Sequence, residues 1–216
     1  MAKAHAAVTA EPEARRDQVL RVAESLFARG GYRGVGLREI AAQVGIRAPS
    51  LFKHFKNKHA LYNAVLRNIF GRLSGVTDRL EGDTPFAQRL EEFVIGYVDM
   101  VATDPNVVQL LFRELIERSE AMDAETRAAA YAIYQRIDRF LEAGQQAGEF
   151  RQVDRFRFQV ALTGAILYHS LAARPYSAIL NRVAPNDRGA WKRTVLDMAQ
   201  GALLATPAAA PRARRR

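Results

Sequence analysis

Cysteine is absent from all 216 residues, so neither a disulfide framework nor a thiolate metal site can form. A reducing cytoplasm is compatible with that composition. Histidine is scarce: there are four, and His169 is the only one beyond residue 59, too few for a histidine-rich metal site. No apolar run is long enough to cross a bilayer. Met1–Ala10 hold Lys3 and several alanines but no long apolar core, so they do not read as a signal peptide. No glycine-rich phosphate loop follows a strand, no histidine pairs with a nucleophile, and no spacing suits a metal. These absences argue against an enzyme, a metal centre, a cofactor or a membrane partner. Alternating runs of strand length and internal repeats are missing too.

Charge is present, and it is unevenly placed. The net charge is +9. Residues 1–72 carry 13 Lys and Arg against 5 Asp and Glu, whereas residues 73–211 carry 15 against 18, and the tail 212–216 adds four arginines. A basic module beside a mildly acidic one points to a polyanion-binding part joined to something else. A solubilising charge bias would look the same, and charge alone does not separate the two.

Helical periodicity fills almost every segment, which predicts an all-α fold of about nine helices. Val19, Val22, Ala23 and Leu26 predict a helix from Glu13 to Arg29, stopped by Gly30-Gly31. Leu37, Ile40, Ala41 and Val44 predict a second, ended by Gly45. A third runs from about Ala48 to Phe55, and Asn57 is a good N-cap for a fourth. Thr84-Pro85 and Asp104-Pro105 place proline at a first helical position, opening helices to about Ala102 and Arg118. Others are expected over Asp123–Ala147, from Asp154 to Ala173 where Arg174-Pro175 breaks it, and over Asp187–Leu204. A domain boundary falls near residues 72–84.

The most informative stretch is Leu37–Phe55, LREIAAQVGIRAPSLFKHF. Two short helices meet at a glycine that tolerates positive φ, with small Ala41 where they must approach closely. Leu37, Ile40, Val44, Leu51 and Phe55 can face inward while Arg38, Arg47, Lys53 and His54 face out. That is the division a groove-reading helix-turn-helix needs. A plain helical hairpin would share the periodicity. Arg38 and Arg47 suit bidentate contact with guanine O6 and N7, or ordinary phosphate contact. Lys53, Lys56 and Lys58 suit phosphates. His54 could bond a phosphate or complement the C-terminal helix dipole.

Residues 20–66 resemble the N-terminal domain of TetR-family regulators. The resemblance rests on Ala23-Glu24-Ser25-Leu26-Phe27 leading to Gly31-Tyr32, on Ile40-Ala41 and Gly45, on Ser50-Leu51-Phe52 with His54-Phe55, and on Lys56-Asn57-Lys58 with Ala60-Leu61. It implies a three-helix DNA-binding domain over 13–72 and a larger helical effector-binding and dimerisation domain over 73–205. A disordered arm (1–12) and a disordered basic tail (206–216) would flank them. The family carries Ser50, Phe52, His54 and Lys58 to phosphates, and Arg38, Arg47, Ala48 and Pro49 to base edges. Phe52 stands where a tyrosine is usual, and Gly36 and Arg47 stand where a capping Ser or Thr is common. The implied function is a cytoplasmic, homodimeric repressor, nucleoid-associated when bound, that leaves double-stranded operator DNA when a small molecule binds. A DNA-bound protein that recruits a protein partner, in nucleoid organisation or division control, is the alternative.

Effector residues are expected among Phe93, Tyr97, Phe112, Arg113, Tyr131, Tyr134, Tyr168 and His169, in a cavity between helices of about 84–173. Phe140 belongs to the same aromatic set. Such aromatics equally make a core, Arg113 and Glu114 could pair with each other, and His169 could serve structure or the dimer. An apolar or aromatic effector suits this lining better than a nucleotide or sugar. Helices near 155–173 and 187–204 are apolar over a wide arc, with Gly164 and Ala165 allowing close approach, and so predict the dimer contact.

Overall fold

A computed structural model describes residues 2–117, 121–181 and 187–204, with side chains described from Ala14 and not for Glu117 or Arg174. Nine α-helices and one 3-10 turn are formed among the described residues, and no strand beyond an isolated bridge between Phe150 and Leu204. In chain order these are α1 (Ala2–Gly34), α2 (Leu37–Val44), α3 (Ala48–Leu51), α4 (Lys58–Thr77), the 3-10 turn Asp78–Leu80, α5 (Phe86–Thr103), α6 (Pro105–Glu117), α7 (Ala124–Gln146), α8 (Arg155–Ile179) and α9 (Arg188–Leu203). No helix among the described residues is long and apolar enough to cross a membrane. The expected tail 206–216 and the helix end at Arg118 lie outside the described residues.

The chain divides into two compact units. The first takes Met1–Leu73 and Asp104–Tyr131, and the second takes Ser74–Thr103 and Ala132–Arg216. The expected boundary near 72–84 thus includes one crossing, but Asp104–Tyr131 groups with the N-terminal segment.

Four helices begin at side-chain caps, at positions where the sequence places a cap or a helix start. Asn57 Oδ1 accepts from the Ala60 amide at 2.8 Å, Asp123 Oδ1 from Thr126 at 2.8 Å, Asp154 Oδ1 from Arg157 at 3.0 Å and Asp187 Oδ1 from Ala190 at 3.0 Å. Each satisfies an amide the first turn leaves unpaired. Pro105 sits at the first position of α6, with Asp104 Oδ1 accepting from Asn106 at 3.1 Å. Pro85 lies one residue outside α5 and acts as its cap, its carbonyl accepting from Gln88 at 3.0 Å.

Other expectations are corrected. α1 begins at Ala2, ahead of the helix start expected at Glu13; alanine at 2, 4, 6, 7 and 10 gives that segment high helix propensity. Gly31 breaks α1 with φ 69 and ψ 173, yet helical backbone resumes to Gly34. α3 ends at Leu51 rather than Phe55, because the Lys53 and His54 amides bond the carbonyls three residues back and tighten the chain into a turn. α8 does not stop at Arg174 but continues through Pro175 to Ile179. Proline removes one amide donor without barring helical φ, so flanking turns can carry the helix past it.

In the first unit α4 is the central helix: Leu61 to Leu66 are all buried, so its middle is covered on every face. α1 packs there through Val19, Ala23 and Phe27, and α6 adds Val107, Val108 and Leu110 to this unit's core. The Phe27 and Tyr62 rings meet edge to face at 5.0 Å, and the Tyr62 hydroxyl donates to Glu114. Arg113 of α6 donates to the Ala28 and Arg29 carbonyls at 2.8 and 2.6 Å, satisfying acceptors just before the break in α1. Arg72 bridges Glu24 at 2.8 Å and Asp104 at 2.5 Å. Burial pushes the Glu24 carboxyl above its usual 4.5, with Arg72 opposing part of the rise.

In the second unit, α7 holds the 3-10 turn: Arg136 reaches Thr77 Oγ1 at 3.1 Å, Glu81 at 3.1 Å and Asp78. α9 lies against α5, with Lys192 on Asp99 at 2.7 Å. Phe86, Phe140 and Phe150 form an aromatic cluster with mutual centroid distances of 5.5 Å, and Arg89 stacks on Phe86. Gly144 is required there, since a Cβ would collide with the Phe150 ring.

Candidate nucleic-acid interface

α2 buries Ile40, Ala41 and Val44, and α3 buries Leu51, so these two short helices are anchored by one apolar face each. The turn between them is set by Gly45 at φ 78, a left-handed conformation that favours glycine. Its amide donates to the Ala42 carbonyl at 3.1 Å, and the Ile46 amide donates to Ala41 at 2.9 Å. Those two bonds make a Schellman motif and fix where α3 begins. Ala41 is 2% exposed, in keeping with close packing at the turn.

The opposite face carries the expected DNA contacts. Arg38, Arg47, Pro49 and Lys53 are exposed, and Ala48, Ser50 and His54 are half-buried. Phe52 is 52% exposed, an aromatic ring turned to solvent without the hydroxyl a tyrosine would offer. Neither Gly36 nor Arg47 makes a side-chain cap, so the Arg47 guanidinium is not engaged at the start of α3. Lys56 is exposed and Lys58 half-buried.

Lys58 has intrachain partners that the sequence did not reveal. Its Nζ lies 4.8 Å from the Tyr32 ring centroid and donates to the Arg33 carbonyl at 3.3 Å. Burial lowers its pKa from the usual 10.5. A second missed feature is an open groove of about 570 Å³ between α1 and α4, with Arg16, Arg21 and Arg67 among its walls and Leu20 and Ala64 as apolar lining. The Arg16 guanidinium also sits over the Phe55 ring at 5.3 Å, so the groove's cations adjoin the end of the helix-turn-helix. The basic bias of the first third was the available signal.

The eight expected effector residues do not fall in one unit. Phe112, Arg113 and Tyr131 belong to the first, where Arg113 serves the end of α1. Phe93, Tyr97, Tyr134, Tyr168 and His169 belong to the second. Phe93 and Tyr97 are buried with centroids 5.9 Å apart. Burial pushes the Tyr97 phenol pKa up to about 12, with nearby Thr163 opposing part of the rise. Tyr134 packs on Phe156, while exposed Tyr168 and Tyr176 share a hydroxyl contact of 3.2 Å. His169 stacks on Trp191 at 4.5 Å, and burial lowers its pKa from 6.5. Among the described residues no group of three or more His, Cys, Asp or Glu could hold a metal ion.

Two short helices joined by a glycine turn, with an apolar inner face and a cationic outer one, define a helix-turn-helix module of the kind found in bacterial regulators. Residues 19–65 match the family of bacterial regulatory proteins, tetR family, and residues 83–170 match the tetracyclin repressor-like C-terminal domain. The chain belongs to the TetR family. It is similar to the transcriptional activator FasR of Mycolicibacterium smegmatis, 32% identical over 64% of this chain and 65% of FasR, so the match spans a little under two thirds of that relative. It is 30% identical to the transcriptional repressor KstR2 of Rhodococcus jostii over 66% of this chain and 71% of KstR2. Its fold is similar to that of the ketosteroid transcriptional regulator KstR2 of Mycobacterium tuberculosis, with a TM-score of 0.70 and 19% identity over 89% of this chain and 96% of that one.

Proposed function

We propose that the protein is a dimeric transcriptional repressor of the cytoplasm that binds double-stranded operator DNA and leaves it when an apolar small molecule enters the second unit. The observation that carries this reading is the Schellman turn at Gly45, which presents exposed Arg38, Arg47 and Lys53 on one side of a buried scaffold. Arg38, Arg47, Ala48 and Pro49 meet base edges; Ser50, Phe52, Lys53, His54 and Lys58 lie along phosphates. Lys58, held against Tyr32, would reach the backbone as a positioned charge rather than a free one. A dimer would set two such modules about 34 Å apart, on successive major grooves, so the site is a pseudo-palindrome.

Support for the dimer comes from α8, where Val160, Tyr168, Leu171 and Ile179 are exposed apolar groups, and from Met198 on α9. A face of that kind is unusual on a monomer. The relatives support both regulation and an apolar effector: KstR2 of M. tuberculosis is a ketosteroid regulator, and Phe93 and Tyr97 give the second unit an aromatic interior.

The test is selection of genomic fragments by the purified protein, followed by binding of variants to matched and singly substituted sites at several salt concentrations. Arg38→Ala or Arg47→Ala should cost about 1–3 kcal/mol on the matched site and little where the contacted guanine is already changed. Equal losses on every sequence would make both residues phosphate contacts and move sequence reading to Ala48, Pro49 and DNA shape.

A further inference from the structure

Inside the second unit the apolar packing of α5 against α8 is interrupted by a small polar group. Gln159 is 5% exposed, and its Nε2 meets no acceptor among the described residues. Thr163 lies one helical turn further along α8, on the same face. Thr163 in turn lies close enough to the buried Tyr97 phenol of α5 to oppose part of its pKa rise. Leu162 and Ile166 are buried beside them on α8, and Phe93 is buried beside Tyr97 on α5. A buried amide donor left unmatched is destabilising by an amount comparable to a lost hydrogen bond. Natural interiors rarely keep one, so each unmatched donor calls for a partner that the chain itself does not supply. The phenol of Tyr97 is held protonated by its surroundings and is a donor as well.

We infer that Gln159, with Tyr97 and Thr163 one turn away, is the polar anchor of the effector site, and that the effector is an apolar molecule carrying an uncharged acceptor oxygen such as a ketone or ester carbonyl. The inference rests on the sensor reading above and narrows it. An ionised carboxylate fits less well, because the nearest described cations on α5 and α8 are engaged elsewhere: Arg155 with Asp138 at 2.9 Å, exposed Arg157 with Asp154 at 3.3 Å, and Arg89 with the Leu80 carbonyl at 3.1 Å. A pure hydrocarbon would fill space but leave the amide unmatched. Discrimination of this type is large where a site is built to bond an oxygen and the competitor lacks it.

The test uses the full-length protein with methyl ketones and steroid ketones, each beside its parent hydrocarbon, delivered from cyclodextrin. Binding is read by thermal shift and by the fluorescence of Trp191, the single tryptophan. In the wild type, ketones should bind better than the matching hydrocarbons. Gln159→Leu should leave the ligand-free melting temperature unchanged or higher, since it removes an unmatched group, and should lower ketone affinity roughly tenfold while sparing the hydrocarbon. Gln159→Glu keeps the shape, replaces the donor by an acceptor when ionised, and should lose ketone preference too. A lower ligand-free melting temperature in both variants would mean the amide is already matched, by internal water for example, and would overturn the inference. Equal binding of ketone and hydrocarbon by the wild type would overturn it while leaving the sensor reading in place. If no compound binds, the sensor reading falls and takes this inference with it.

Discussion

Asn63 joins two parts of the chain that are far apart in sequence. Its side chain is fully buried; Nδ2 donates to the Ala121 carbonyl at 2.6 Å and Oδ1 accepts from the Asp123 amide at 2.8 Å. Leucine at this position would fill the volume but remove both hydrogen bonds. Asn63→Leu is therefore expected to destabilise the protein by about 2–3 kcal/mol in denaturant titration. A loss below about half a kcal/mol would show that the chain near Ala121 is held by other means. The His169–Trp191 stack supports a different measurement. Because the folded pKa of His169 lies below 6.5, the unfolded chain takes up this proton first as pH falls. Its contribution to stability is present above 6.5 and is lost as pH drops through that value toward the folded one. Trp191 fluorescence should titrate with a midpoint below 6.5, and His169→Gln should abolish the step. A midpoint at or above 6.5 would contradict the desolvation of His169 against Trp191.

Helices show which signals are local. Asn57 and Asp154 were legible as caps, and Asp123 and Asp187 as helix starts, because a cap acts over three residues. Gly45 was legible because few residues accept its backbone angles. Pro175 misled for the complementary reason: the rule that proline ends helices describes an isolated chain, whereas α8 continues past it in its folded setting. Proline there still denies the helix one hydrogen bond. Pro175→Ala should raise stability by roughly 1–3 kcal/mol, measurable as a higher denaturation midpoint with an unchanged slope. A decrease would show that the proline ring itself is required for packing. The partners of Lys58 and Arg113 were illegible, because Tyr32, Ala28 and Arg29 are brought to them only by the tertiary fold. For the same reason the aromatic residues expected around one effector turned out to belong to two units, while Gln159, an unremarkable polar letter in the sequence, gains meaning only once its burial is known.

At the scale of the molecule, the apolar stripe on α8 gives the dimer proposal a clean probe. Gly164 lies in the middle of that helix, and a Cβ added there would meet nothing within 4 Å in the single chain. Gly164→Leu should leave the monomer's fold intact, and even favour the helix, because glycine is a poor helix former. In a dimer packed through this face it would hold the partner helix away. Sedimentation at micromolar concentration should then change from about twice the chain mass to the chain mass, and operator affinity should fall with it. An unaltered dimer would move the contact elsewhere.

The first unit is not a continuous stretch of chain. Its core includes α6, whose Val107, Val108 and Leu110 are fully buried, and Arg113 of α6 closes the end of α1. A gene fragment cut at Leu73 would therefore encode the helix-turn-helix without part of its own support. Chimeric regulators made by joining one protein's N-terminal segment to another's remainder would bring together an α1 and an α6 that never evolved against each other. Successful exchange of sensing and reading between such proteins would require residues 104–131 to travel with the reading head, as a split cassette rather than a simple fusion.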